Sequence, residues 1–163
     1  MNRRLFRIFA RIYIKNEARR PGDSLKQSIQ KRLERYGLQI ESLTSQELSR
    51  RLSREEWCPS EVMFHALHAA RGMFRMAQEL RNGSAQDLEP ERIGKTKTVT
   101  REDLVALCKE VQEIAEKFNY SEFESTTASH PWIGQLNWKQ WIALNLIHME
   151  RHQRQIQRTI LKH

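Results

Sequence analysis

Residues 138–159 read WKQWIALNLIHMERHQRQIQRT, and the spacing inside this stretch decides the fold. Trp138, Trp141, Asn145, His148, His152, Gln155 and Thr159 are separated alternately by three and four residues, so they form one continuous seam along an α-helix. A second stripe, Ile142, Leu146, Met149, Ile156 and Ile160, flanks the seam and supplies ordinary core packing. The seam is thus partly buried yet polar at four successive places. Burying Asn, two His and Gln without partners would cost about 1–3 kcal/mol each, so something must satisfy them.

Working outward, the same 3.6-residue period recurs in three earlier segments. From Asp23 or Ser24 as N-cap, Leu25, Ile29, Leu33, Tyr36, Ile40 and Leu43 predict a long helix. Pro59 opens another with the stripe Val62, Ala66, Ala69, Met73, Met76 and Leu80, ending before AsnGlySer at 82–84. Thr100 and Asp103 cap a third, along which Leu104, Leu107, Val111, Ile114 and Phe118 recur. Thr44 with Glu47 and Ser53 with Glu56 have capping-box spacing and predict short helical pieces between the first two. Four long amphipathic segments and no recognisable strand predict an all-α protein, an antiparallel four-helix bundle over residues 23–163. Two long connections, 83–99 and 119–136, are compatible with crossovers; the first is either a lid or a mobile link.

Residues 1–22 form a separate basic amphipathic segment. Leu5, Ile8, Phe9, Ile12 and Tyr13 alternate with arginines, predicting an extra N-terminal helix that packs its apolar face on the bundle. A membrane-surface role for it is the less favoured reading. The net charge of +8 is uneven. Residues 1–58 hold 14 Lys/Arg against 7 Asp/Glu, residues 59–136 hold 9 against 12, and residues 137–163 hold 5 against 1. Such clusters attract nucleic acid or anionic lipid, but no aromatic ladder or groove-reading motif accompanies them, and a solvated surface is the simpler reading. Cys58 and Cys108 belong to no CxxC pair, which argues against a disulfide framework and for a reducing, cytoplasmic setting. No apolar run approaches the ~20 residues of a membrane span.

His148 and His152, at i and i+4, put two imidazoles on one helix face, a spacing suited to chelating one ion. HxxxH alone is weak evidence. His65 adds to it, lying three residues after Val62 and four before Ala69 on the inward face of the second bundle helix. His68 shares a face with Phe64 and Arg71 and is placed at an edge. Three neutral imidazoles leave coordination positions open for water or substrate and suit a divalent transition metal such as zinc, nickel or iron.

Two segments resemble the DinB/YfiT-like family of metal-binding four-helix bundles, which is distinct from the DNA polymerase sharing the first name. Trp57-Cys58-Pro59-Ser60-Glu61-Val62-Met63-Phe64-His65 is similar to the family's tryptophan-x-proline-alanine-glutamate-valine-leucine-x-histidine opening of the second bundle helix. His130-Pro131-Trp132-Ile133-Gly134-Gln135-Leu136, followed by Trp141, His148, His152 and Gln155, is similar to its HPxxGxL, tryptophan and HxxxHxxQ. Cys58 departs from the family's Ser or Thr cap. The resemblance implies His65, His148 and His152 as a ligand triad, the residues that helix periodicity also selects.

His130 is a candidate catalytic acid/base, its alternative being to shape the turn into the last helix. Gln155, one turn beyond His152, is a candidate hydrogen-bond partner to a ligand. The resulting expectation is a metal-dependent enzyme in which the ion activates water or a thiol, with chemistry like that of a thiol S-transferase or a hydrolase. Its substrate would be a small molecule such as a low-molecular-weight thiol, and a homodimer is in keeping with the resemblance. The alternatives are a non-enzymatic stress-response or binding protein with a structural metal, and a basic surface binder of nucleic acid or anionic membrane.

Overall fold

The structure, a computed structural model, describes residues 3–84, 99–123 and 126–161, with the backbone alone for 3–6. Its elements are α1 (Arg3–Glu17), α2 (Gly22–Ser42), α3 (Ser45–Ser49), α4 (Pro59–Asn82), α5 (Arg101–Lys117), β1 (Ala128–His130), β2 (Gly134–Leu136) and α6 (Trp138–Leu161). The four long helices α2, α4, α5 and α6 enclose one hydrophobic core, and α1 packs against α6. The expected all-α bundle with an additional N-terminal helix is therefore present. Among the described residues no helix is long and apolar enough to cross a membrane.

Side-chain contacts give the order of the bundle. Lys26 pairs with Glu116, while Arg101 reaches the Ile40 carbonyl, so α2 and α5 are antiparallel. The His65 ring lies against His148 and His152, while Arg81 lies over Trp138, so α4 and α6 are antiparallel too. Lys139 bonds the Arg20 carbonyl and Tyr36 donates to the Met149 carbonyl at 2.9 Å, which makes α2 and α6 parallel neighbours. The consequence is an up-down-down-up order in which α4 and α5 are parallel neighbours. A parallel pair places its connected ends at opposite ends of the bundle, the physical reason for so long a connection. The lid reading of 83–99 falls mostly on residues 85–98, outside the described residues.

Local chemistry explains most boundaries. Thr44 with Glu47 and Thr100 with Asp103 form reciprocal capping boxes that start α3 and α5. Asn137 and Gln140 exchange side-chain-to-backbone bonds of 3.0 Å in both directions and start α6. Glu61 accepts from the Cys58 N–H at 2.9 Å, so the α4 terminus is satisfied despite the unusual cap residue.

Several expectations are corrected. Helix α2 begins at Gly22 with Pro21 before it and no side-chain cap, because Tyr120 packs onto this turn and Asp23 lies already inside the helix. Ser53 accepts from the Glu56 N–H at 3.3 Å, yet 52–56 forms bends, the single cap bond having no apolar face behind it. The connection 119–136 contains two short strands, pairing Ala128 with Leu136 and His130 with Gly134. Three-residue strands carry too little alternation to be seen in sequence. Ala128, Ile133 and Leu136 anchor this hairpin in the core. Gly134 sits at φ +95°, a left-handed conformation that glycine adopts freely.

Helix α1 differs from expectation in its orientation. The face that packs on the bundle is Ala10, Tyr13 and Ile14, whereas Ile8, Phe9 and Ile12 point outward. Helix α4 also departs: Ala69 of the predicted stripe is only partly buried, and Met63, Leu67, Ala70, Phe74 and Ala77 are buried beside the rest of it, because the helix has neighbours on more than one side.

Candidate metal centre

The α4 helix presents His65 and the antiparallel α6 presents His148 and His152. One ring nitrogen from each can be chosen so that all lie within 4.8 Å of one another. The ring centroids are 4.5 Å apart for His148–His152, 4.9 Å for His65–His152 and 5.2 Å for His65–His148. Among the described residues these three form the one group with metal-ligand geometry, and it includes no carboxylate.

The hydrogen-bond pattern fits a cation. The Gln155 Oε1 lies 3.0 Å from His152 Nδ1, so with the amide oxygen accepting, Nδ1 carries the hydrogen and Nε2 keeps its lone pair. That lone pair faces His148 Nε2 at 3.2 Å. Two nitrogens each ~2.1 Å from one ion stand about 3.0–3.4 Å apart, which matches this spacing. His65 Nδ1 and His148 Nδ1 are buried without protein partners. So are Trp141 Nε1 and both polar atoms of the fully buried Asn145, one turn before His148 on the same seam. This concentration of unsatisfied polar atoms is what a site built for non-protein ligands requires.

Electrostatics keeps the rings neutral. Burial pushes the His148 pKa well below its ordinary value, with smaller contributions from His152, His65, Arg151 and His130. Burial and then His65 lower His152 to about 4, partly opposed by the bond to Gln155. Burial, His68 and Arg151 lower His65. Neutral imidazole is the ligating form, so no proton has to be displaced near pH 7.

These shifts carry a testable consequence for the metal-free protein. Groups with depressed folded pKa values bind fewer protons folded than unfolded, so their contribution is complete above the unfolded value of ~6.5. It is lost as pH falls from there toward about 4 for His152. Urea unfolding of metal-free protein is expected to show a stability loss on the order of 2–3 kcal/mol between pH ~7 and ~5. A flat profile across that window would contradict neutral, desolvated rings.

His130 stands outside the three-ring group. Its ring packs on Trp141 at 5.4 Å, and its Nδ1 accepts from the Trp132 N–H at 3.2 Å across the hairpin turn. That bond occupies the lone pair a base would use, so the geometry favours the turn-shaping role. His68 is at an edge as read, 3.1 Å from the Arg71 guanidinium and tilted against Phe64. Two neighbours escaped the sequence reading. Trp57 packs edge-on against His65 at 5.0 Å, shielding the ring; its place in the segment that ends at His65 was the available signal. Arg151 places positive charge near all three rings, and its position beside His152 was the clue.

Residues 63–159 match the model of a family described as a protein of unknown function, DUF1569. The chain belongs to the DUF1569 family. No curated protein matches it. The DUF1569 region begins two residues before His65 and includes α5, the hairpin and nearly all of α6, so it contains the three histidines, Asn145 and Gln155. Trp57, α1, α2 and α3 lie before it.

Proposed function

We propose that this DUF1569 protein is a DinB/YfiT-like metal-dependent enzyme, in which His65, His148 and His152 hold one divalent transition ion for transferase or hydrolase chemistry on a small molecule. The observation that carries the reading is the convergence of three desolvated, neutral imidazoles from two antiparallel helices, with His148 and His152 3.2 Å apart at Nε2. The motif resemblance around Trp57–His65 and His130–Gln155 supports it. An all-imidazole set accommodates zinc, nickel or iron. When bound, the ion supplies Lewis acidity, lowering the pKa of water or a thiol so that a nucleophile forms near neutral pH.

The chain's own groups have definable tasks. Gln155 holds the His152 tautomer and ring orientation. Trp141 Nε1–H and the Asn145 amide are free to bond the polar part of a substrate beside the histidines. Arg151 adds positive potential that favours an anionic substrate such as a thiolate or carboxylate. Trp57 keeps bulk water from the His65 ring. Three protein ligands and no carboxylate favour an open site over a closed structural one.

Elemental analysis after purification without chelators tests the reading: near-stoichiometric transition metal is expected, and metal near zero even after incubation with zinc, nickel or iron(II) overturns it. Gln155→Leu is expected to weaken metal affinity by roughly 10–100-fold without changing the fold, as for other partners that orient a ligating imidazole. Competition with a chromogenic chelator reads this directly, and equal affinity would remove Gln155 from the site.

A further inference from the structure

We infer that the outer face of α1 and the tip of the β1–β2 hairpin form a docking surface for an anionic lipid bilayer. Helix α1 has two apolar stripes, and the bundle uses one, Ala10 with Tyr13 and Ile14. The other remains in solvent: Ile8 is 54% exposed, Phe9 63% and Ile12 52%. A second exposed aromatic lies on the hairpin that is bonded to this helix. Trp132, 63% exposed, sits at the hairpin tip, which Arg11 fastens to α1 by donating from Nε to the Ile133 carbonyl at 2.8 Å.

Charge selects the occupant. Residues 1–16 contain four arginines, one lysine and no acidic residue. Arg7, Arg11 and Lys15 are exposed along one flank of the outer stripe. A second copy seated symmetrically on this face would set these cations against one another, and residues 1–16 carry no carboxylate to offset them. A nucleic acid would meet the charge but leave the Ile and Phe side chains in water. An anionic bilayer satisfies both, since acyl chains receive Phe9, Ile12 and Trp132 while headgroup phosphates meet the arginines at the same depth. Tryptophan and arginine are the residues that settle at that boundary. Because α1 is already ordered by α6, docking incurs little of the helix-forming cost a free peptide would meet. The inference is independent of the metal site.

Vesicle co-sedimentation of the full chain tests it. At low salt the protein is expected to sediment with phosphatidylcholine vesicles containing roughly one-third phosphatidylglycerol and to remain in solution with phosphatidylcholine alone. Phe9→Ser combined with Ile12→Ser is expected to weaken binding at least about tenfold, and Trp132→Ser to weaken it and reduce the lipid-induced blue shift of tryptophan emission. These side chains are exposed, so an unchanged helical circular dichroism spectrum confirms folded variants. Three outcomes would overturn the inference. They are no sedimentation at low salt; binding indifferent to the apolar variants and displaced by duplex DNA; or a wild-type dimer that the Phe9→Ser, Ile12→Ser variant dissociates, which would make a second copy the occupant.

Discussion

His148→Ala is expected to leave chelator-free preparations with less than about a tenth of the wild-type metal, a loss at least as large as removing an outer partner of a ligand. His148 is the most deeply buried of the three rings, and its centroid lies 4.5 Å from that of His152 and 5.2 Å from that of His65. Without it, one imidazole on α4 and one on α6 remain, and a two-ligand site has neither the charge donation nor the geometry to compete with water and buffer. His68→Ala is the matched control: the residue is on the same helix as His65 but turned to Arg71, and it should keep full metal. Stability supplies a readout free of any assumed activity. Saturating metal should raise the unfolding free energy of wild type by about 3 kcal/mol at a hundred times Kd and leave His148→Ala unmoved. Equal metal in wild type and His148→Ala would end the three-histidine assignment.

The second large effect is predicted far from the histidines, where α2 begins. A Cβ on Gly22 would lie 2.0 Å from the Tyr120 carbonyl oxygen and 2.9 Å from its carbonyl carbon. The obstacle is backbone, so no rotamer relieves it, and the 119–123 stretch or the first turn of α2 has to move. Gly22→Ala is therefore expected to cost about 3 kcal/mol and to lower Tm by roughly 10 °C. Gly72→Ala provides the contrast. Nothing lies within 4 Å of its would-be Cβ, and it sits inside α4, where replacing glycine gains up to about 1 kcal/mol. The same substitution thus carries opposite signs at the two positions. If thermal melts show both neutral, Tyr120 is not packed on α2 as described.

Legibility in the sequence followed the range of the interactions. The α6 seam could be read from Trp138 to Thr159 because a helix converts spacing directly into a shared face. The capping boxes at Thr44 and Thr100 were legible because donor and acceptor are three residues apart. His65 was reachable because its neighbours Val62 and Ala69 marked the inward side of α4. The face that α1 buries was not. Leu5, Ile8, Phe9, Ile12 and Tyr13 and the set Ala10, Tyr13, Ile14 are both apolar stripes, and choosing between them requires knowing where α6 lies.

The sequence by itself determined which residues share a helix face, where capped helices start, and hence a helical bundle with a polar seam inside it, since each of these depends on groups within a few residues of one another. Tertiary structure alone decided the up-down-down-up order, the closeness of Tyr120 to Gly22, the outward turn of Phe9, and the distances at which His65, already marked in the sequence, meets His148 and His152. Each of those joins residues far apart in the chain, and their positions are fixed by how whole helices pack, a result of the summed burial of many side chains that no local spacing encodes.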